Sequence, residues 1–130
     1  MVLKNNLSNK FPREEKLKSR KLIEQLFAEG MYLNSFPLQM VYLPVENTDA
    51  PNFQAGFSVS KRRFKKAVDR NGIKRRMREA YRLNKNMMIG SNKKYVFMFI
   101  YTTHIKFTFQ EINEAMIKLL NLFIKKTQII

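Results

Sequence analysis

Lys94-Tyr95-Val96-Phe97-Met98-Phe99-Ile100-Tyr101 reads as a strand that is apolar on both faces. A strand of that kind lies inside a sheet and is covered on both sides. Upstream, Phe53-Gln54-Ala55-Gly56-Phe57-Ser58-Val59-Ser60 alternates. Phe53, Ala55, Phe57 and Val59 face one way; Gln54, Gly56, Ser58 and Ser60 face the other. The spacing predicts a half-buried strand with one small, polar face, either solvated or open to a ligand. Between these two strands lies a helical pattern over about residues 69–84, so the segment reads β-α-β. A further strand is predicted over Leu38–Leu43, preceded by Pro37 at its edge. Pro44–Pro51 follows as a loop, and there is room for a short strand near Met31–Ser35. A first helix is predicted from Lys16, with Leu22, Ile23, Leu26 and Phe27 on one face and Gly30 as its stop. Thr108-Phe109-Gln110-Glu111 has the form of a capping box. Ile112, Met116, Leu119, Leu120, Phe123 and Ile124 then mark the core stripe of a last helix. The expected fold is α/β (α+β), a two-layer sandwich. One mixed sheet packs with about three helices, and a β-α-β crossover carries the middle helix. Residues 1–15 are expected to be a loose N-terminal segment and residues 16–130 a single domain.

Composition narrows the function. The chain has 130 residues, 45% of them apolar, and no cysteine. That length supports one domain with a real core. A disulfide framework and a thiolate metal site are excluded. The longest apolar run, Tyr95–Tyr101, is far too short to cross a bilayer, and the N-terminus lacks the apolar stretch of a secretory signal. A cytoplasmic protein is expected. The formal net charge is +15. Nucleic acid is therefore the leading partner class, with an anionic membrane surface second.

The charge is concentrated. Twelve of the 25 Lys and Arg residues fall within residues 61–85, against two acids, Asp69 and Glu79. Self-repulsion makes such a segment costly unless a polyanion neutralises it. On a wheel at about 100° per residue, Ile73, Met77, Ala80 and Tyr81 form the apolar stripe that docks on the sheet. Arg70, Lys74 and Arg78 lie beside it at i, i+4 and i+8, and Arg75 and Arg82 extend the row. Like charges at this spacing destabilise an isolated helix by a few tenths of a kcal/mol per pair. Repeating that penalty along one face suits a helix that meets phosphate. Five of the six cations within the helix are Arg. The planar guanidinium binds phosphate oxygens bidentately and stacks on exposed bases, as RNA recognition requires. Asn71 adds neutral hydrogen-bonding capacity near the helix start. Lys61, Arg62, Arg63 and Lys66 bring further cations to the approach. The bland alternatives are a solvated basic face and a membrane-surface helix; the second lacks large aromatic anchors.

A protein-only nuclease needs grouped carboxylates for metal ions or a paired acid and base. The ten acids here are scattered, and His104 is the sole histidine. No catalytic residue and no metal ligand is expected in the chain itself.

The string Phe57-Ser58-Val59-Ser60-Lys61, followed by Arg70-Asn71-Gly72-Ile73-Lys74-Arg75-Arg76-Met77-Arg78-Glu79-Ala80-Tyr81, resembles the protein component of bacterial ribonuclease P. That family carries an Arg-Asn-Arg signature followed by Lys-Arg and a further Arg on one helix. Lys16–Gly30 is similar to the family's first helix, a basic residue and Leu at the start and Phe-x-x-Gly at the end. The resemblance covers roughly residues 16–125. It implies an RNA-binding subunit that assists a catalytic RNA in removing the 5′ leader from precursor tRNA. The partners implied are ribonuclease P RNA and precursor tRNA with its leader, with no membrane and no protein partner required. Magnesium is then held mainly by the RNA. The resemblance also implies a left-handed crossover for the signature helix. It assigns RNA contact to Arg70, Asn71, Lys74, Arg75 and Arg78, joined here by Lys61, Arg62, Arg63, Lys66 and Arg82. It assigns the leader cleft to Lys16, Ile23, Phe27 and Ser58. Gly72 stands where the third signature residue is normally Arg, leaving Arg76 or Lys66 to compensate. Ile23 stands where a second cleft aromatic is usual. Two rival readings remain: a structural RNA binder of ribosomal-protein type, and a helix–turn–helix DNA binder. The second is weakened because the basic helix follows a strand.

Overall fold

A computed structural model describes residues 10–46, 51–88 and 93–127. Helix α1 spans Arg20–Glu29, α2 Ala67–Asn84 and α3 Phe109–Thr127. Strands β1 (Met31–Ser35), β2 (Leu38–Val45), β3 (Phe53–Ser58) and β4 (Lys94–Tyr101) form one sheet in the order β1-β2-β4-β3. The first two pairings are antiparallel and β3–β4 is parallel. The sheet is therefore mixed, and α2 is the crossover between its two parallel strands.

The doubly apolar strand lies inside the sheet, as its sequence requires. Its Tyr95, Phe97, Phe99 and Tyr101 join Leu38, Met40, Tyr42, Ala55 and the inner stripes of α2 and α3 in one core cluster. Val96 and Met98 face the opposite way, with Val41, Leu43, Leu17 and the fully buried Leu26 of α1. Helices thus cover both faces, α1 on one and α2 with α3 on the other. Aromatic rings dominate the larger cluster: Phe123 meets Tyr42, Tyr95 and Phe97 edge-on at centroid distances of 5.0–5.1 Å. Such contacts add about 0.5–1.5 kcal/mol each beyond area burial. The capping box forms as expected. The Thr108 N–H donates to Glu111 Oε1 at 3.0 Å, and the Glu111 N–H to Thr108 Oγ1 at 3.2 Å.

Four expectations need correction. First, α1 begins at Arg20, not Lys16. Ser19 caps it, accepting from the Leu22 N–H at 3.3 Å. Lys16 and Leu17 are extended instead, because the Leu17 N–H donates to the Ala55 carbonyl at 2.9 Å. Second, residues 10–15 are anchored to the fold. Phe11 sets its ring edge-on against Phe57 and Tyr81 at 5.9 and 5.6 Å. Arg13–Glu15 forms a 3-10 turn, and the Glu14 carbonyl accepts from Gln54 Nε2 at 3.1 Å. This strap lies along the outer edge of β3 and covers groups that an open edge would expose. Residues 1–9 of the expected loose segment lie outside the described residues. Third, β2 runs through Pro44 to Val45. The register of β1 reaches only to Tyr42, so Pro44 sits where β2 is itself an edge and a missing N–H is tolerated. Fourth, β3 ends at Ser58 and α2 begins at Ala67. Gly72 therefore lies in the second turn of the helix.

Candidate RNA interface

Between β3 and α2, residues 60–66 make a tight turn. The Ser60 carbonyl accepts from the N–H groups of Arg63 and Phe64 at 3.3 and 3.2 Å, and Ser60 Oγ also accepts from Arg63. Phe64 is buried against Tyr101, ring centroids 6.0 Å apart. With Phe64 held inward, Lys61, Arg62, Arg63, Lys65 and Lys66 are all exposed.

On α2, Ile73, Met77, Ala80 and Tyr81 are buried as the wheel requires. Asn71, Arg75 and Arg78 are exposed, and Lys74 and Arg82 are half-buried. Taking Ile73 as zero, Lys74, Arg78, Asn71, Arg82 and Arg75 spread over about 100–200° of the wheel, one continuous outward sector. Among the described residues, no carboxylate pairs with Lys74, Arg75 or Arg78. The two acids of the segment are held elsewhere. Lys106 Nζ donates to Asp69 Oδ1 at 2.8 Å, and Arg82 grips Glu79 through Nε and Nη2 at 2.9 and 2.6 Å. Those hydrogen bonds lower the pKa of both carboxyls and raise that of Arg82.

Not every predicted contact residue faces outward. Arg70 Nη1 donates to the Phe64 and Lys65 carbonyls, each at 2.8 Å. Arg76 lies one turn along from Gly72 on the same flank of α2, but its guanidinium is committed elsewhere: Nη1 donates to the Phe107 carbonyl at 2.9 Å. Lys66 stays exposed at the N-cap. Lys85, at the end of the basic stretch, is buried and pairs with Glu15 at 2.7 Å.

The second region lies beside α1, which rests over β2 and β4. Ile23 and Phe27 follow one another by one turn on α1; Ile23 is partly buried against the smaller cluster and Phe27 is 42% exposed. Ser58, half-buried, pairs with Ile100 of the same cluster. The small face of β3 is not open throughout: a side chain at Gly56 would meet Met98 and Leu17 at 3.0–3.7 Å. Lys16 does not join this region. Its ammonium lies 5.8 Å over the ring of Phe11, which packs on the opposite side of the sheet. Sequence reasoning missed a groove of about 620 Å³ at the start of α1, lined by Ser19, Lys21, Leu22, Gln25, Pro44, Val45, Glu46 and Gln54. Gln54, on the polar face of β3, was the only signal of it.

Among the described residues, no group of three or more His, Cys, Asp or Glu side chains is placed to hold a metal ion. No described helix is long and apolar enough to cross a membrane.

A family model described as Ribonuclease P matches residues 11–123. The chain belongs to the ribonuclease P protein family. The match begins at Phe11, whose ring anchors the strap. The ribonuclease P protein component of Chlorobaculum tepidum is 38% identical over 90 residues, 67% of this chain and 58% of that protein. That of Porphyromonas gingivalis is 41% identical over 76 residues, 58% of this chain and 56% of its own length. The chain thus spans under two thirds of the length of these curated relatives. Among solved structures, the ribonuclease P protein of Staphylococcus aureus superposes with a TM-score of 0.68 at 22% identity, covering 84% of this chain and 94% of that one. The Thermotoga maritima protein gives 0.63 at 26%, covering 83% and 94%. The fold of the ribonuclease P protein family is therefore the fold of this chain.

Proposed function

We propose that this chain is the RNA-binding protein subunit of ribonuclease P, an endoribonuclease whose RNA subunit carries the catalysis. It assists that RNA in removing the 5′ leader from precursor tRNA. The observation that carries the reading is the outward sector of Lys74, Arg75 and Arg78, continuous with the basic turn and faced by no described carboxylate. Cations left unneutralised on a rigid helix release counterions when they meet phosphate, so binding is strong and salt-dependent. The protein then screens repulsion between two RNA molecules, while magnesium at the scissile bond is held mainly by the RNA. The leader, as a single strand, lies along α1, where Phe27 offers an exposed ring for stacking and Ile23 a plain apolar contact. Partners are the ribonuclease P RNA and precursor tRNA, and the site of action is cytoplasmic.

The test mixes the protein with its matching RNA subunit and precursor tRNA at low magnesium. Added protein is expected to raise cleavage. Unchanged cleavage alongside tight RNA binding would instead favour a structural RNA binder of ribosomal-protein type.

A further inference from the structure

We propose that Arg70 acts as a positioning residue, clamping the basic turn to α2. The inference rests on the RNA-binding reading for its purpose and on the hydrogen bonds of the free protein for its geometry. Arg70 lies about 60° round the wheel from Ile73, at the rim of the buried stripe. Helical side chains lean toward the N-terminus of their helix. From the first turn of α2, that lean carries the guanidinium back over the residues that precede the helix. There Nη1 donates to two successive carbonyls, of Phe64 and Lys65, at 2.8 Å each.

The position matters because the local cap is missing. Lys66 is the N-cap of α2 and its side chain makes no capping hydrogen bond. The turn is tied to the sheet through Phe64 and to itself through Ser60. Arg70 is the side chain that ties it to the helix. With Nη1 committed to the turn, the Nη1–Nη2 edge is closed to bidentate phosphate binding and only the Nε–Nη2 edge is left. Lys61, Arg62 and Arg63, by contrast, are exposed on a turn whose orientation this clamp fixes. Ordering cations before binding removes an entropic cost that flexible side chains and loops otherwise meet on association.

Two measurements on the full chain test the idea. The first is amide exchange in the free protein. Arg70→Met is expected to accelerate exchange of the hydrogen-bonded Arg63, Phe64 and Asp69 amides by at least about tenfold, leaving the amides of β4 unchanged. The second is a mutant cycle on affinity for the matching ribonuclease P RNA. Arg62→Ala with Arg63→Ala is expected to weaken binding about tenfold in the wild-type background, and by less than about threefold when Arg70 is already Met. Unchanged exchange of those three amides, or costs that simply multiply, would overturn the proposal. Should Arg70→Met fail to fold, Arg70→Lys serves in both measurements. It keeps the charge but loses the planar double donor, so a clamp predicts faster exchange and weaker binding, whereas a point-charge contact predicts neither. If the wild-type chain binds no RNA, the functional reading fails, and the exchange result still judges the clamp.

Discussion

Replacing Arg75 and Arg78 together by Ala should flatten the salt dependence of RNA binding without unfolding the protein. Both side chains are exposed, and no described carboxylate pairs with either. Each phosphate neutralised contributes roughly 0.7–0.9 to the log–log slope of affinity against salt, so two lost contacts remove about 1.4–1.8 units. If the non-electrostatic part of binding is unchanged, the curves of variant and wild type meet near about 1 M salt and diverge below it. At about 0.1 M the variant is then weaker by about 25- to 60-fold, or about 2 kcal/mol. Stability should move by no more than about 0.5 kcal/mol, as for other exposed substitutions. The assay is a filter-binding or fluorescence titration against the RNA subunit at several salt concentrations, paired with a thermal melt.

Arg76 supplies the control. It has the same charge on the same helix, but its guanidinium is spent on the Phe107 carbonyl at 2.9 Å. Arg76→Ala should lower stability by about 1–2 kcal/mol through that lost charged hydrogen bond and leave the slope intact. An unaltered slope in the double variant, or an equal drop in Arg76→Ala, would refute the assignment of the outward sector to phosphate.

Other perturbations reach other parts of the molecule. Gly72→Ala should stabilise the fold by about 0.5–1 kcal/mol, because a Cβ there meets nothing within 4 Å; a lowered melting temperature would show hidden crowding. Lys85→Ala breaks the ion pair with Glu15, whose side chain keeps 25% of its exposure. The loss should be about 2–3 kcal/mol in urea unfolding, short of the full cost of a wholly buried pair. Phe27→Leu should weaken affinity for a single-stranded leader by about 1 kcal/mol and spare binding to the RNA subunit; an equal loss in both, with a fall in melting temperature, would assign Phe27 to packing. On acidification, Asp69 and Glu79 set a defined sign. Their folded pKa values are lowered by hydrogen bonds from Lys106 and Arg82. Their contribution is fully present above the unfolded values near about 4 and is lost as pH falls through the lower folded ones. Melting temperature should therefore drop on the acid side, and Asp69→Asn with Glu79→Gln should flatten that drop.

What the sequence shows of this molecule depends on how local each cause is. β4 is legible because seven consecutive apolar residues leave only an interior strand. The start of α3 is legible because Thr108 and Glu111 cap each other three residues apart. The start of α1 is not, because Lys16 and Leu17 fit a helical pattern until Ala55, far along the chain, draws them into an extended bridge. The packing of Phe11 is hidden in the same way, since it depends on Phe57 and Tyr81. Within the basic helix, the wheel separates the docking stripe from the cations. It does not separate a cation that faces solvent from one that reaches a distant carbonyl. Arg70 and Lys74 look alike on the wheel, and only the fold of the preceding turn distinguishes them.

That separation decides how the charge is used. Of the twelve cations in residues 61–85, four are engaged within the protein: Arg70 and Arg76 on backbone carbonyls, Arg82 on Glu79, and Lys85 on Glu15. Each of these four ties α2 or its flanks in place: to the turn, to the approach to α3, to the preceding turn of the helix itself, and to the N-terminal strap. Eight remain, five on the turn and three along the outward sector of α2. The segment's only acids, Asp69 and Glu79, are already held by Lys106 and Arg82. Fixing the framework with one set of cations concentrates the other set on one surface without a compensating charge. The rigidity that raises their mutual repulsion in the free protein is the same rigidity that lets a phosphate backbone relieve it at little entropic cost.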